Sequence, residues 1–348
     1  MSYLRNCWYV AAWVDEIGDG LLARTILEEP IVLFRNQGQV VALADRCPHR
    51  FVPLSMGQKT AGGLMCGYHG LAFGHDGRCI ANPHGAVSRA LSVRSYPAVL
   101  RHQQVWLWMG DPEAANPELI PDFSMLDDPA LRPLWGYMHT AANYELMTDN
   151  IMDLGHIEFL HPETLGSDAI GRAKTEARQD GDTVYSNRTA HDEVLTPFLD
   201  YTFETGGRPV TRWLNVRWNA PAAMLLTIGA DPAGPEQAVR ETFGSHIMTP
   251  ETPNSCHYFW STLRNYGPDS AELDKRKREG LEHAFRTEDK PMIEAQARAI
   301  GSADLMSLRP ALLRSDAGAV MARRTLQRLI EGEVAVSAAV HSSQAVVA

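Results

Sequence analysis

Two short stretches pair a cysteine with a histidine. "CPHR" holds Cys47 and His49, and "CGYHG" holds Cys66 and His69, giving the spacing C-x-H-x16-C-x2-H. Thiolate and imidazole together suit zinc or iron. A structural zinc module usually places both cysteines on one loop and both histidines on another. Here each loop carries one of each, with Pro48 as turn former in the first and Gly67 and Gly70 in the second. That is the arrangement of two opposed loop tips clasping one cofactor. A [2Fe–2S] cluster held by two Cys on one iron and two His on the other has this need, and neutral imidazoles in place of thiolates raise its reduction potential.

Such a cluster moves single electrons, so a destination is required. More than 200 residues follow, and they include "NYELMTDNIMDLGHIEFLHPETLG", with Asp149, Asn150, Asp153, His156 and His161. Two histidines and a carboxylate can form a mononuclear iron site with open positions for oxygen. Isolated histidines at this spacing also occur as capping or surface residues. On a straight helix, five residues at about 100° each set His156 and His161 roughly 140° apart. Joint chelation therefore predicts that the helix widens or breaks between them, as at a π-bulge, with Gly155 a weak point. The residues alone leave the carboxylate open among Asp289, Glu288, Glu158 and Glu163.

With these motifs in hand, the chain resembles the Rieske non-haem iron aromatic oxygenases, through "CPHRFVPLSMG", "CGYHGLAF" and "DNIMDLGHIEFLH". The pattern is similar to the branch of vanillate and dicamba O-demethylases and toluenesulfonate methyl-monooxygenase. The resemblance implies Cys47, His49, Cys66 and His69 as cluster ligands. It also implies His156, His161 and, from "RTEDKPMIEAQ", Asp289 as ligands of a mononuclear Fe(II) that uses O2 as co-substrate. It implies that Asp153 bridges His156 of one subunit to the second cluster histidine (His69) of its neighbour, in a homotrimer. Asn150 is either near the iron or a structural amide, and His246 faces the acid group of an aromatic acid substrate. Leu226 and Gly280 stand where dicamba-type relatives have an amide and an aromatic. The expected reaction is O-demethylation of a vanillate-like methoxybenzoate with formaldehyde release. Hydroxylation of an aryl methyl group and a non-enzymatic Rieske electron carrier are the alternatives. No dinucleotide or flavin motif is visible, so a separate NAD(P)H-dependent reductase of flavin and ferredoxin type is expected as partner.

The elements that must position these residues are legible too. "PIVLFRNQGQVVALAD" and "LAFGHDGRCIANP" read as hairpins, and "QQVWLWMGDP" as a further strand. The segment "PEAANPELIPDF" reads as a linker, strands follow through 264, and helical stretches fall near 271–300 and 316–332. The fold class is α+β: an N-terminal all-β Rieske domain (1–110), then a larger helix-grip-like catalytic domain (111–335) and a frayed tail (336–348). Five cysteines in 348 residues exclude a disulfide framework, and Cys7 and Cys79 read as plain buried thiols. Net charge of −10 without a basic block argues against nucleic acid and anionic membranes. No apolar run reaches membrane-span length, and a cytoplasmic location is expected. Arg212 and Arg217 are further candidates to meet an anion, or solvated strand residues.

Overall fold

The computed structural model describes residues 3–232, 239–267, 269–302 and 304–345, and the chain divides into two compact units. The first comprises Tyr3–Ile120 with Thr249–Thr252, and the second comprises the remainder from Pro121 onward.

The first unit is all β. Its strands are β1 (Trp8–Trp13), β2 (Leu22–Ile26), β3 (Glu29–Asn36), β4 (Gln39–Ala44), β5 (Gln58–Thr60) and β6 (Gly63–Met65). They continue with β7 (Ala72–Phe73), β8 (Cys79–Ala81), β9 (Ser95–Tyr96), β10 (Ala98–Arg101) and β11 (Gln104–Trp108). Three antiparallel sheets result, ordered β1-β11-β10, β2-β3-β4-β9 and β5-β6-β7-β8. The predicted hairpin is β3–β4, and Gln37 and Gly38 turn it with φ of 51° and 79°. Both central residues have positive φ, the primed turn that matches strand twist. Val32, Phe34, Leu43, Leu54, Leu64 and Phe73 form a core that also takes in Cys47, Cys66 and Cys79. "PEAANPELIPDF" folds as short 3-10 turns, at Pro112–Ala114 and Pro117–Leu119.

The second unit wraps helices around one seven-stranded antiparallel sheet. Its strands are β12 (Leu134–Thr140), β13 (Thr175–Asp180), β14 (Thr183–Glu193), β15 (Val210–Asn219), β16 (Ala223–Pro232), β17 (Arg240–Thr252) and β18 (Ser255–Arg264). Their order is β12-β18-β17-β16-β15-β14-β13. The helices are α1 (Tyr144–Met152), α2 (Ile157–Leu160), α3 (Asp168–Arg172), α4 (Pro197–Phe203), α5 (Ala271–His283), α6 (Lys290–Ile300) and α7 (Ala317–Ala345). Strand β15 buries every second residue, as a strand with one packed face must. Arg212, Leu214 and Val216 therefore share the inner face, while Arg217 points the other way. Of segment 336–348, residues 336–345 continue α7 and the last three lie outside the described residues. Arg323 on α7 donates to both Asp149 oxygens (2.7–3.0 Å) and to Glu145 (2.8 Å), tying α7 to α1.

Candidate active site

The two Cys-His loops have the same backbone form. In each, the cysteine N–H donates to the carbonyl five residues on (Val52, Leu71), and its carbonyl accepts from the residue four on (Phe51, Gly70). That fourth residue is left-handed in both, with φ of 61° at Phe51 and 72° at Gly70. Glycine adopts this freely, whereas a phenylalanine pays a steric penalty, and the Phe51 ring is covered by the Arg46 guanidinium at 4.1 Å. A Cβ on Gly67 would stand 2.8 Å from the Met56 carbonyl, so the loops close only with glycine there. Cys47 and Cys66 are each 1 % exposed, while His49 is exposed, His69 half-buried, and their rings lie 4.5 Å apart. Burial raises the Cys47 thiol, with Cys66 adding to it, while amides of His49 and Arg50 donate to the sulfur and oppose the rise. A sulfur-rich end in the core and an imidazole end at the surface is the polarity a Cys2His2 cluster requires.

In the second unit, His156 Nε2, His161 Nε2 and Asp289 Oδ1 converge. The carboxylate oxygen lies 3.5 Å from His156 and 3.2 Å from His161, and the ligand atoms all fall within 4.8 Å of one another. Both imidazoles are oriented from behind. His156 Nδ1 donates to the Asp153 carbonyl at 2.7 Å, and His161 Nδ1 donates to Glu288 Oε2 at 2.7 Å. With Nδ1 protonated in each ring, Nε2 is left free to bind a cation. Burial alone would raise the Asp289 carboxyl, but the two facing histidines outweigh it and hold it low. Asn150 Nδ2 donates to Asp289 at 3.0 Å and stands 3.4 Å from His156 Nε2, so this amide is beside the triad. The Asp153 carboxylate is held by the Gly155 amide (2.8 Å) and Arg188 (3.5 Å), and it is the backbone carbonyl that meets His156.

The chain does leave straight-helix geometry around this pair, at its edges. Helix α1 ends at Met152, His156 leads into the single turn of α2, and His161 leaves it with φ −122° and ψ 44°. The π-helical turn lies instead on the third ligand's element, at Ala284–Asp289 between α5 and α6. Lys277, Leu281, Phe285 and Asp289 all face one cavity. At about 100° per residue, twelve residues of α-helix would turn Asp289 ~120° away from Lys277. One residue inserted in a wide turn removes about 100° of that, and restores the common face.

The cavity has a volume of about 90 Å³ and is partly open to solvent. Its floor is the inner face of the sheet, where Leu214, Ile228 and Thr242 form one cross-strand row and Leu226 pairs with Gly244 in the next. His246 lines it, 5 % exposed, and Nδ1 is 2.6 Å from the Tyr258 hydroxyl. Burial pushes His246 down to about 4 and Tyr258 well above its usual range, so both are neutral. A buried phenol must donate its proton, which assigns Nδ1 as acceptor and leaves His246 Nε2–H as a donor. A Cβ on Gly280 would lie 2.7 Å from the Phe198 ring, so an aromatic from α4 fills the space above that glycine.

The C-terminal domain of vanillate O-demethylase oxygenase matches residues 140–332, and the Rieske [2Fe-2S] domain matches residues 7–97. The chain is 40% identical to the oxygenase component of dicamba O-demethylase from Stenotrophomonas maltophilia, over 96% of this chain and 100% of that one. It is 39% identical to the oxygenase component of chloroacetanilide N-alkylformylase from Rhizorhabdus wittichii, over 97% and 99%. Dicamba monooxygenase bound to 3,6-dichlorosalicylic acid superposes with a TM-score of 0.91 at 40% identity, covering 96% of this chain and 100% of that chain. The chain belongs to the Rieske non-haem iron oxygenases.

This Rieske oxygenase is a monooxygenase component with a [2Fe–2S] cluster and a mononuclear iron as cofactors, and a separate partner delivers its electrons. Its two constellations fit those groups: paired buried thiols with amide donors, and two Nε2 atoms aimed at one carboxylate. Among the described residues no helix is long and apolar enough to cross a membrane. Sequence reasoning missed several residues. Glu288 is not a competitor of Asp289 but the support of His161. Arg212 is no solvated strand residue: it is fully buried, lines the cavity and pairs with Glu193 at 3.1 Å. Arg217 lies on the other face and donates to the Asp122 carbonyl. Phe198 and Lys277 carried no signal beyond ordinary helical sequence, although Lys277, Leu281 and Phe285 recur at helical spacing.

Proposed function

We propose that this oxygenase O-demethylates a methoxylated aromatic acid of the vanillate kind, releasing formaldehyde. The observation that carries the reading is the imidazole–imidazole–carboxylate triad at the wall of an apolar cavity. We assign Cys47, His49, Cys66 and His69 to the cluster, and His156, His161 and Asp289 to the mononuclear iron. When bound, the iron centres supply the electrons and the oxygen activation that place a hydroxyl on the substrate's methyl carbon. The protein's own groups orient and enclose. Leu226, Ile228 and Phe198 hold the ring and exclude water, and His246 Nε2–H donates to an oxygen of the substrate. Asn150 holds the carboxylate of Asp289, and Asp153 fixes His156 through its carbonyl. The hydroxylated ether is a hemiacetal, which collapses to a phenol and formaldehyde.

The family resemblance supports a homotrimer in which Asp153 and His69 of adjacent subunits connect the two centres. It equally supports an NAD(P)H-dependent reductase of flavin and ferredoxin type as the electron source. A cytoplasmic location, where that reductase would work, belongs to the same reading. The test is turnover with such a reductase, NADH and a panel of methoxybenzoates, scoring formaldehyde against substrate consumed. One formaldehyde per substrate is expected. A benzylic alcohol from methylarenes without formaldehyde would move the enzyme to the methyl-hydroxylating side, and electron transfer without any product would leave it a carrier.

A further inference from the structure

The cavity holds a second pole that the iron chemistry does not use. Lys277, on α5, is 5 % exposed and faces the cavity, and its ammonium donates to Thr242 Oγ1 at 3.0 Å. An ammonium has three N–H donors. Among the described residues Thr242 is its hydrogen-bond partner, and no carboxylate lies within ion-pair distance. Asp274, one turn back on α5, is engaged by Arg264 and by Arg132. The Tyr266 ring stands 5.8 Å away and its hydroxyl is 3.2 Å from Thr242. In the same cavity, the hydroxyls of Thr202 and Thr262 are buried without a hydrogen-bond partner. A buried, unpaired cation facing an apolar cavity is costly unless a ligand neutralises it.

The position of this pole is fixed by the sheet. His246 is near enough to Asp289 to feel its charge, whereas Thr242 is four residues along β17, about 13 Å at the usual strand rise. Lys277 is likewise three helical turns from Asp289. We propose that Lys277 and Thr242 form an anion subsite at the end of the cavity remote from the triad, taking the carboxylate of a methoxylated aromatic acid whose methyl group faces the triad. This rests on the demethylase reading and specifies its substrate class. His246, being neutral, then serves an uncharged oxygen near the reacting carbon, and Lys277 supplies the charge. Burial, with Arg264 adding to it, pushes the Lys277 ammonium down to about 7 against the opposing pull of Asp274. Carboxylate binding restores the proton. Of the other groups around it, Tyr266 is pushed up to about 12 and His246 down to about 4, and Arg264 and Arg212 are held by Asp274 and Glu193.

The experiment compares 4-methoxybenzoate with its methyl ester, on the iron-loaded protein, by calorimetric binding and by formaldehyde release. Lys277→Met keeps the side-chain volume and removes the charge. It is expected to weaken binding of the acid on the order of 10- to 100-fold while the ester changes by no more than about 3-fold. Cluster absorbance and iron content, measured alongside, report folding. In the wild type, affinity for the acid should fall as pH rises from 7 to 9 with proton uptake on binding, a readout that needs no variant. Equal losses for acid and ester, no loss for either, or pH-independent binding would each overturn the anchor. Formaldehyde from neutral methoxyarenes with no Lys277 effect would leave the demethylase standing without the anchor. Lys277-dependent binding without formaldehyde from any methoxyarene would do the reverse.

Discussion

Removing Glu288 should loosen the mononuclear iron without touching the cluster. The side chain reaches His161 Nδ1 at 2.7 Å, a charge-assisted contact, and it is largely buried with 19% of its side chain exposed. It sets which nitrogen of His161 faces Asp289 and raises the basicity of that nitrogen. Losing a partner of this kind costs 10- to 100-fold in metal affinity, about 1.4–2.8 kcal/mol. Glu288→Ala should sit at the upper end, because the ring loses both charge and orientation. Glu288→Gln should sit near tenfold, because its amide oxygen still accepts from Nδ1. The assay is anaerobic competition with a ferrous chelator, reading retained iron against cluster absorbance in the same sample. Glu288→Ala protein that holds iron as tightly as wild type would refute the supporting role. Parallel loss of cluster colour would show a general folding defect instead.

Three further outcomes are expected. Anaerobically purified protein should contain about three irons and two acid-labile sulfides per chain, and stoichiometric zinc without sulfide would contradict both metal assignments. Asp153→Asn should keep both centres, since the carbonyl that orients His156 is untouched, yet lose most turnover; normal turnover would remove the carboxylate from the electron path. Arg323→Met should destabilise the second unit by about 3–5 kcal/mol, because Glu145 and Asp149 lose their buried counter-ion. Burial already holds both carboxyls above their usual range despite Arg323. A raised folded value means the native state binds more protons, so stability falls as pH rises from the ordinary carboxylate range toward the folded one. The variant's deficit should therefore shrink at mildly acid pH, and denaturation midpoints at pH 5 and 8 that show a constant deficit would contradict this.

The cluster loops were legible because their chemistry is local: ligand, turn former and ligand fall within a few residues of each other. The hairpin at Gln37-Gly38 was legible for the same reason. The iron triad was only half so. His156 and His161 declare themselves as a pair, but Asp289 is over a hundred residues away, and only family likeness singled it out from neighbouring carboxylates. A distortion was foreseen between the two histidines, yet they sit at the ends of one ordinary turn and the wide turn belongs to Asp289. Lys277 shows the limit most clearly. In "AELDKRKREGLEH" it is one of a run of charges, and nothing local tells the buried lysine from its solvated neighbours. Its burial is decided by which helix face meets the sheet, a tertiary fact.

The wide turn at Ala284–Asp289 also bears on how this protein can change over generations. Tightening it into uninterrupted α-helix without a change in residue number would reach the locally more favourable state. The same tightening would swing Asp289 about a third of a turn from Lys277, parting the triad from the lysine pole. Variants chosen only for heat resistance would thus drift toward the tighter turn, and those chosen for turnover would be held to the wide one. The pitch of this single turn is a point where the two kinds of selection pull apart.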